Sequence, residues 1–172
     1  MRSNTAGRWA LALLLGLLNS PLTMAQAQSA KPSPALTSPM RAHALRLRPG
    51  DDLREALLAY VAQQHLGAAA VLTCVGSLTV ATLRLANQEG PTEYRGHFEI
   101  VSLVGTLSAT GGSHLHLSVA DSAGRTLGGH LLAGCRVYTT AEIVLVALPE
   151  LEFTRETDPT FGYKELVVKP KK

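Results

Sequence analysis

No stretch of this 172-residue chain stays apolar for the roughly 20 residues a membrane-spanning helix needs, no segment repeats, and only two cysteines occur. Cys74 and Cys135 are too far apart in sequence for the paired spacing of a zinc ribbon or finger, and neither stands in a nucleophile motif. A cysteine-built metal site and thiolate catalysis are thereby excluded. In an oxidising compartment the two can form one disulfide; each also sits in the small-residue, strand-like setting that suits a buried free thiol. A basic surplus is missing too, once the chain is read by segment. The whole sequence carries +3, yet residues 51–165 hold 7 Lys or Arg against 13 Asp or Glu, a net −6. The excess belongs to the ends, to Arg2, Arg8, Lys31, Arg41, Arg46 and Arg48 and to the tail Lys169, Lys171 and Lys172. Binding to a phosphate backbone needs a basic face in the folded part, so no nucleic-acid partner is expected.

What is present begins with an export signal. Arg2 and Arg8 make a positive start, residues 9–18 are a short apolar run, and Ala25-Gln26-Ala27 offers small residues for cleavage. Residues 1–27 read as a signal peptide, which in a bacterium makes the mature protein periplasmic or secreted, with no stable membrane span after cleavage. Residues 28–40, rich in Ser, Pro and Ala, read as a flexible linker. Residues 41–168 have the size of one ordinary domain, and 169–172 form a basic tail.

Within the domain, Ala44-Leu45-Arg46-Leu47-Arg48 alternates as a strand does. Asp52 with Glu55 three residues later resembles a capping box, and Leu53, Leu57, Leu58, Val61 and Ala62 recur at helical spacing. The spacing predicts a helix over 52–65, closed by Gly67. Strands are predicted over 68–74 and 78–85 with a break at Val75-Gly76-Ser77, over 93–109, in a hairpin around Ala123, from Gly134 to Tyr138, over 141–148, after Glu150, and at 166–168. The result is an α+β domain, a mostly antiparallel sheet of about seven strands with one main flanking helix.

The chemistry gathers in Gly112-Ser113-His114-Leu115-His116-Leu117-Ser118-Val119-Ala120-Asp121 and the Gly128-Gly129-His130 that follows. In a strand, alternate side chains leave the same face, so His114 and His116 point together while Leu115, Leu117 and Val119 face the core. A loop over 122–124, with Gly124 supplying a positive φ, pairs Asp121 with Arg125 and His116 with His130. Directly opposed side chains have Cβ atoms about 4.5–5.5 Å apart. Three imidazoles then surround one point and can hold a divalent transition metal, zinc foremost, with one coordination position left open. A bulge at Gly128-Gly129 would change the count. Glu99 shares the parity of His97, Val101 and Leu103 and is either solvent-facing at the strand start or buried with a partner; buried, it would accept the other ring N–H of a ligating histidine or orient it.

Gly96-His97-Phe98-Glu99-Ile100-Val101-Ser102-Leu103-Val104-Gly105, then His114-Leu115-His116, Gly128-Gly129-His130-Leu131, Gly134-Cys135-Arg136-Val137 and Thr140-Ala141-Glu142 together resemble the PPC domain, named for plants and prokaryotes conserved. The resemblance covers about residues 44–168. It implies an antiparallel sheet with a flanking helix, assembled as a homotrimer, and a metal site on His114, His116 and His130 like that of stand-alone bacterial members. Plant members generally lack those histidines and pair the domain with AT-hooks; no Arg-Gly-Arg-Pro core occurs in this chain. Three functions follow in order of expectation. The first is an exported homotrimeric binding module with a three-histidine metal site. The second is a small metal-dependent enzyme with Glu99 or Asp121 as base, and the third is DNA binding as in the plant proteins.

Overall fold

The computed structural model describes residues 35–172, and in it eight strands and one helix form. They are β1 (Arg41–Leu47), α1 (Leu53–Gln63), β2 (Ala69–Arg84), β3 (Thr92–Ser108), β4 (Gly112–Ala120), β5 (Thr126–Leu131), β6 (Arg136–Ala147), β7 (Leu151–Thr157) and β8 (Lys164–Pro170). The α+β class with a mostly antiparallel sheet is the fold observed. The signal peptide expected at 1–27, and the linker as far as residue 34, lie outside the described residues.

Six strands make one sheet in the order β1-β6-β2-β3-β4-β5, and β7 with β8 make a separate two-stranded sheet. The long sheet also closes on itself. The end of β2 pairs with β5 through Leu83↔Leu131 and Arg84↔His130, so β2, β3, β4 and β5 form a ring of hydrogen-bonded strands. The core draws Leu78 and Leu83 from β2, Leu103 and Leu107 from β3, Leu117 and Val119 from β4 and Leu131 from β5. The same core takes the apolar stripe of α1, whose Leu53, Leu57 and Val61 are fully buried.

Asp52 starts the helix as expected. One of its carboxylate oxygens accepts the backbone N–H groups of Arg54 and Glu55, both at 3.1 Å, which satisfies donors that the first turn leaves unpaired. The other accepts the N–H of Gly134 at 2.6 Å and so ties the helix start to the approach to β6. Glu55 does not close a capping box; it pairs with the Arg54 guanidinium at 2.9 Å. The helix stops earlier than predicted. His65 takes a positive φ of 51° directly after the cap Gln64, so the left-handed residue is a histidine and not Gly67.

Two predicted breaks are bulges instead. Residues 69–84 run as one strand whose register against β6 shifts between Gly76 and Leu78, and residues 136–147 likewise form one strand. Both cysteines are buried and free, so the disulfide alternative is not the one formed.

Candidate metal centre

Strand β4 is built as two faces. Leu115, Leu117 and Val119 are 3 %, 1 % and 0 % exposed and anchor the strand in the core, whereas His114 and His116 project outward and are exposed. Each buried leucine contributes about 1.5–3 kcal/mol, which fixes the strand's facing, since a one-residue slip would put both imidazoles inside.

The hairpin that brings the third histidine is set by its loop. Gly124 takes a φ of 75°. Asp121 Oδ1 accepts the N–H groups of Ala123 and Arg125, each at 2.9 Å, and Oδ2 accepts from the Arg125 guanidinium at 2.9 Å. These donors, the Arg125 N–H first, hold the Asp121 carboxyl below the usual range. With the loop fixed, β4 and β5 pair without interruption from Ala120↔Thr126 to His116↔His130, the register counted from the sequence, and no bulge forms at Gly128-Gly129.

Glycines allow the neighbouring strands to close in. Gly105 of β3 has a φ of 134°, and a Cβ there would overlap the carbonyl oxygen of His114. A Cβ on Gly129 would lie 2.7 Å from the carbonyl oxygen of Arg84, so the approach of β5 to β2 that seats His130 beside Arg84 needs a residue without a side chain.

The three rings form a compact group. Centroids are 5.0 Å apart for His114 and His116, 5.0 Å for His114 and His130, and 4.5 Å for His116 and His130. One nitrogen from each lies within 4.8 Å of the other two. A tetrahedral ion with bonds of about 2.0–2.1 Å brings its ligands to about 3.3 Å from one another, a difference that rotation about the side-chain bonds spans. Ligation also requires neutral rings. His114 and His130 are both held below the usual histidine range, mainly because partial burial disfavours the cation, next by Arg155 at His114 and by Arg84 at His130. Donor type and number therefore fit a divalent transition ion with an open position, and the lowered values at His114 and His130 favour the ligating form of those two rings.

The carboxylates considered from the sequence lie elsewhere. Glu99 pairs with Ala120, four residues beyond His116 and so about 13 Å along β4. A register shift between Ile100 and Ser102 separates its parity from that of Leu103, and Glu99 is exposed. Of the two settings open to it, the solvent-facing one is observed, so Glu99 is a surface residue and not a buried acceptor. Asp121 is committed to its loop, five residues from His116.

Two charged residues not singled out in the sequence do lie at the cluster. Arg84 is directly opposite His130. Thr106 is directly opposite His114, and its Oγ1 accepts from Arg155 Nη2 at 3.1 Å. The parity of β2 could have indicated Arg84 once the ring closure was known. Arg155 arrives from β7 by tertiary packing alone and leaves no local signal.

The model of the Plants and Prokaryotes Conserved (PCC) domain matches residues 35–149, more than half of the chain. This chain is a member of that family. Among curated proteins, the bifunctional protein GlmU of Synechococcus sp. strain JA-2-3B'a(2-13) is 49 % identical over 140 residues, 81 % of this chain but 22 % of that protein. The chain thus spans about a fifth of the length of that relative. A solved structure of a hypothetical protein from Salmonella enterica is 46 % identical, covers 79 % of this chain and 98 % of its own, and superposes with a TM-score of 0.77. The metal-containing protein AF0104 from Archaeoglobus fulgidus shares the PCC fold with a TM-score of 0.68 at 22 % identity, over 78 % of this chain and 99 % of its own.

Proposed function

We propose that this PCC-domain protein is an exported, homotrimeric binding module that carries a divalent transition metal, zinc first, on His114, His116 and His130. The observation that carries the reading is the three-imidazole cluster, with its nitrogens within 4.8 Å of one another on one uninterrupted hairpin. The metal-containing description of the Archaeoglobus neighbour adds support from a shared fold. Export rests on the charge and apolar pattern of residues 1–27. Self-association rests on apolar side chains left at the surface of the central strands, Leu72, Val75, Val101 and Val104, each more than half exposed. In the alternative reading, an enzyme that activates water on the same ion, Glu99 or Asp121 would serve as base beside the open position. Neither Glu99 nor Asp121 is placed for that, so binding is the better-supported reading. The net −6 of residues 51–165 likewise favours a partner other than nucleic acid.

Metal analysis of the purified protein tests the reading. We expect about one equivalent of zinc per chain, lost in His116→Ala, with the variant still folded by circular dichroism. Equal metal content in the two proteins, or none in either, would remove the site.

A further inference from the structure

The surroundings of the cluster carry unbalanced positive charge. Arg84 stands beside His130 as its cross-strand neighbour on the same face. Arg155 approaches from the other side, anchored on Thr106 Oγ1 across from His114, with its second amino group 3.5 Å from the Lys164 carbonyl oxygen. Among the described residues neither guanidinium forms an ion pair. A divalent ion held by three neutral imidazoles would add two further positive charges with no ligand carboxylate to offset them.

From this arrangement we infer that the site takes an anionic oxygen ligand, a carboxylate or phosphate group, which occupies the open metal position and is held by the guanidiniums of Arg84 and Arg155. The inference rests on the metal reading above and specifies its ligand. An oxyanion offers the hard negative donor that completes a tetrahedral zinc, and its remaining oxygens accept the paired N–H groups of arginine, which match carboxylate and phosphate geometry. A water molecule would bring no negative charge to set against the two guanidiniums. A neutral ligand would leave both guanidinium charges facing the ion.

Cobalt(II) in place of zinc makes the open position visible, because the absorption bands of the ion change when its fourth ligand changes. The full chain, loaded with cobalt(II), is titrated with inorganic phosphate and separately with malonate at constant ionic strength. At least one anion is expected to shift the spectrum saturably; the stronger of the two tells phosphate from carboxylate. Arg84→Gln and Arg155→Gln are expected to keep one cobalt per chain and the anion-free spectrum while binding that anion about tenfold more weakly. A protein that binds cobalt but whose spectrum neither anion changes, or whose two variants bind as tightly as the parent, overturns the inference and leaves the metal site standing. A protein that retains no cobalt overturns both.

Discussion

Burial pushes the Cys74 thiol up to about 12 and the Cys135 thiol up to about 11. At Cys135 a sulfur contact adds to the packing: the thiol accepts the Thr82 N–H at 3.1 Å. In the unfolded chain a cysteine titrates near 8.5, so the folded protein favours the protonated form. This contribution to stability is complete below the unfolded value and declines as pH rises above about 8.5 toward the folded values. At pH 8 only about one Cys135 in a thousand would be a thiolate, by the ordinary titration relation. Neither cysteine should then react with a thiol reagent at pH 8 until urea unfolds the chain, when two equivalents per chain should appear. Prompt reaction of either thiol in the native protein would contradict the burial. Oxidation to a disulfide is likewise expected to require unfolding, since both thiols are free and enclosed.

At the scale of elements, β4 allows its two faces to be tested separately. Leu117→Ala should cost about 2–5 kcal/mol, the usual loss for emptying a leucine site in a close-packed core. His116→Ala, one residue away and outward, should change the stability of the metal-free protein by less than about 1 kcal/mol. Urea denaturation of both variants, with metal chelated, checks the contrast; equal losses would mean that β4 is not two-faced. This element was legible because its facing depends on local alternation and its partner lies within one hairpin. The helix start was legible for the same reason, as Asp52 caps donors only two and three residues away. The helix end was not, because nothing local announces a histidine in the left-handed region. The apparent break at Gly76 was not legible either. Whether a glycine ends a strand or lets a neighbour approach depends on β6, which lies more than 60 residues later and presses the Thr140 backbone against it. Which of its two settings Glu99 takes was not legible, because the register shift two residues beyond it is a feature that alternation alone does not announce.

For the whole molecule, the exposed Leu72, Val75, Val101 and Val104 make a surface that a solitary chain would leave in water. Sedimentation of the wild-type protein should give three chains per particle. Leu72→Glu combined with Val101→Glu should shift it toward single chains, because a charge buried at an apolar contact without a partner is costly. A parent protein that already sediments as one chain would end the trimer proposal. Topology at this scale was the least accessible from sequence: the joining of β2 to β5 brings residues 84 and 130 together, and the guanidinium of Arg155 comes from a sheet that the ring does not contain.

The division of β4 into an inward and an outward row also bears on inheritance. All three imidazoles belong to one contiguous stretch of 17 residues and none supports the interior, so a lineage can discard them, or acquire them, by a few exchanges that leave the scaffold's foundations alone. Descendants of a common ancestor can therefore keep the same architecture while differing entirely in whether they handle ions.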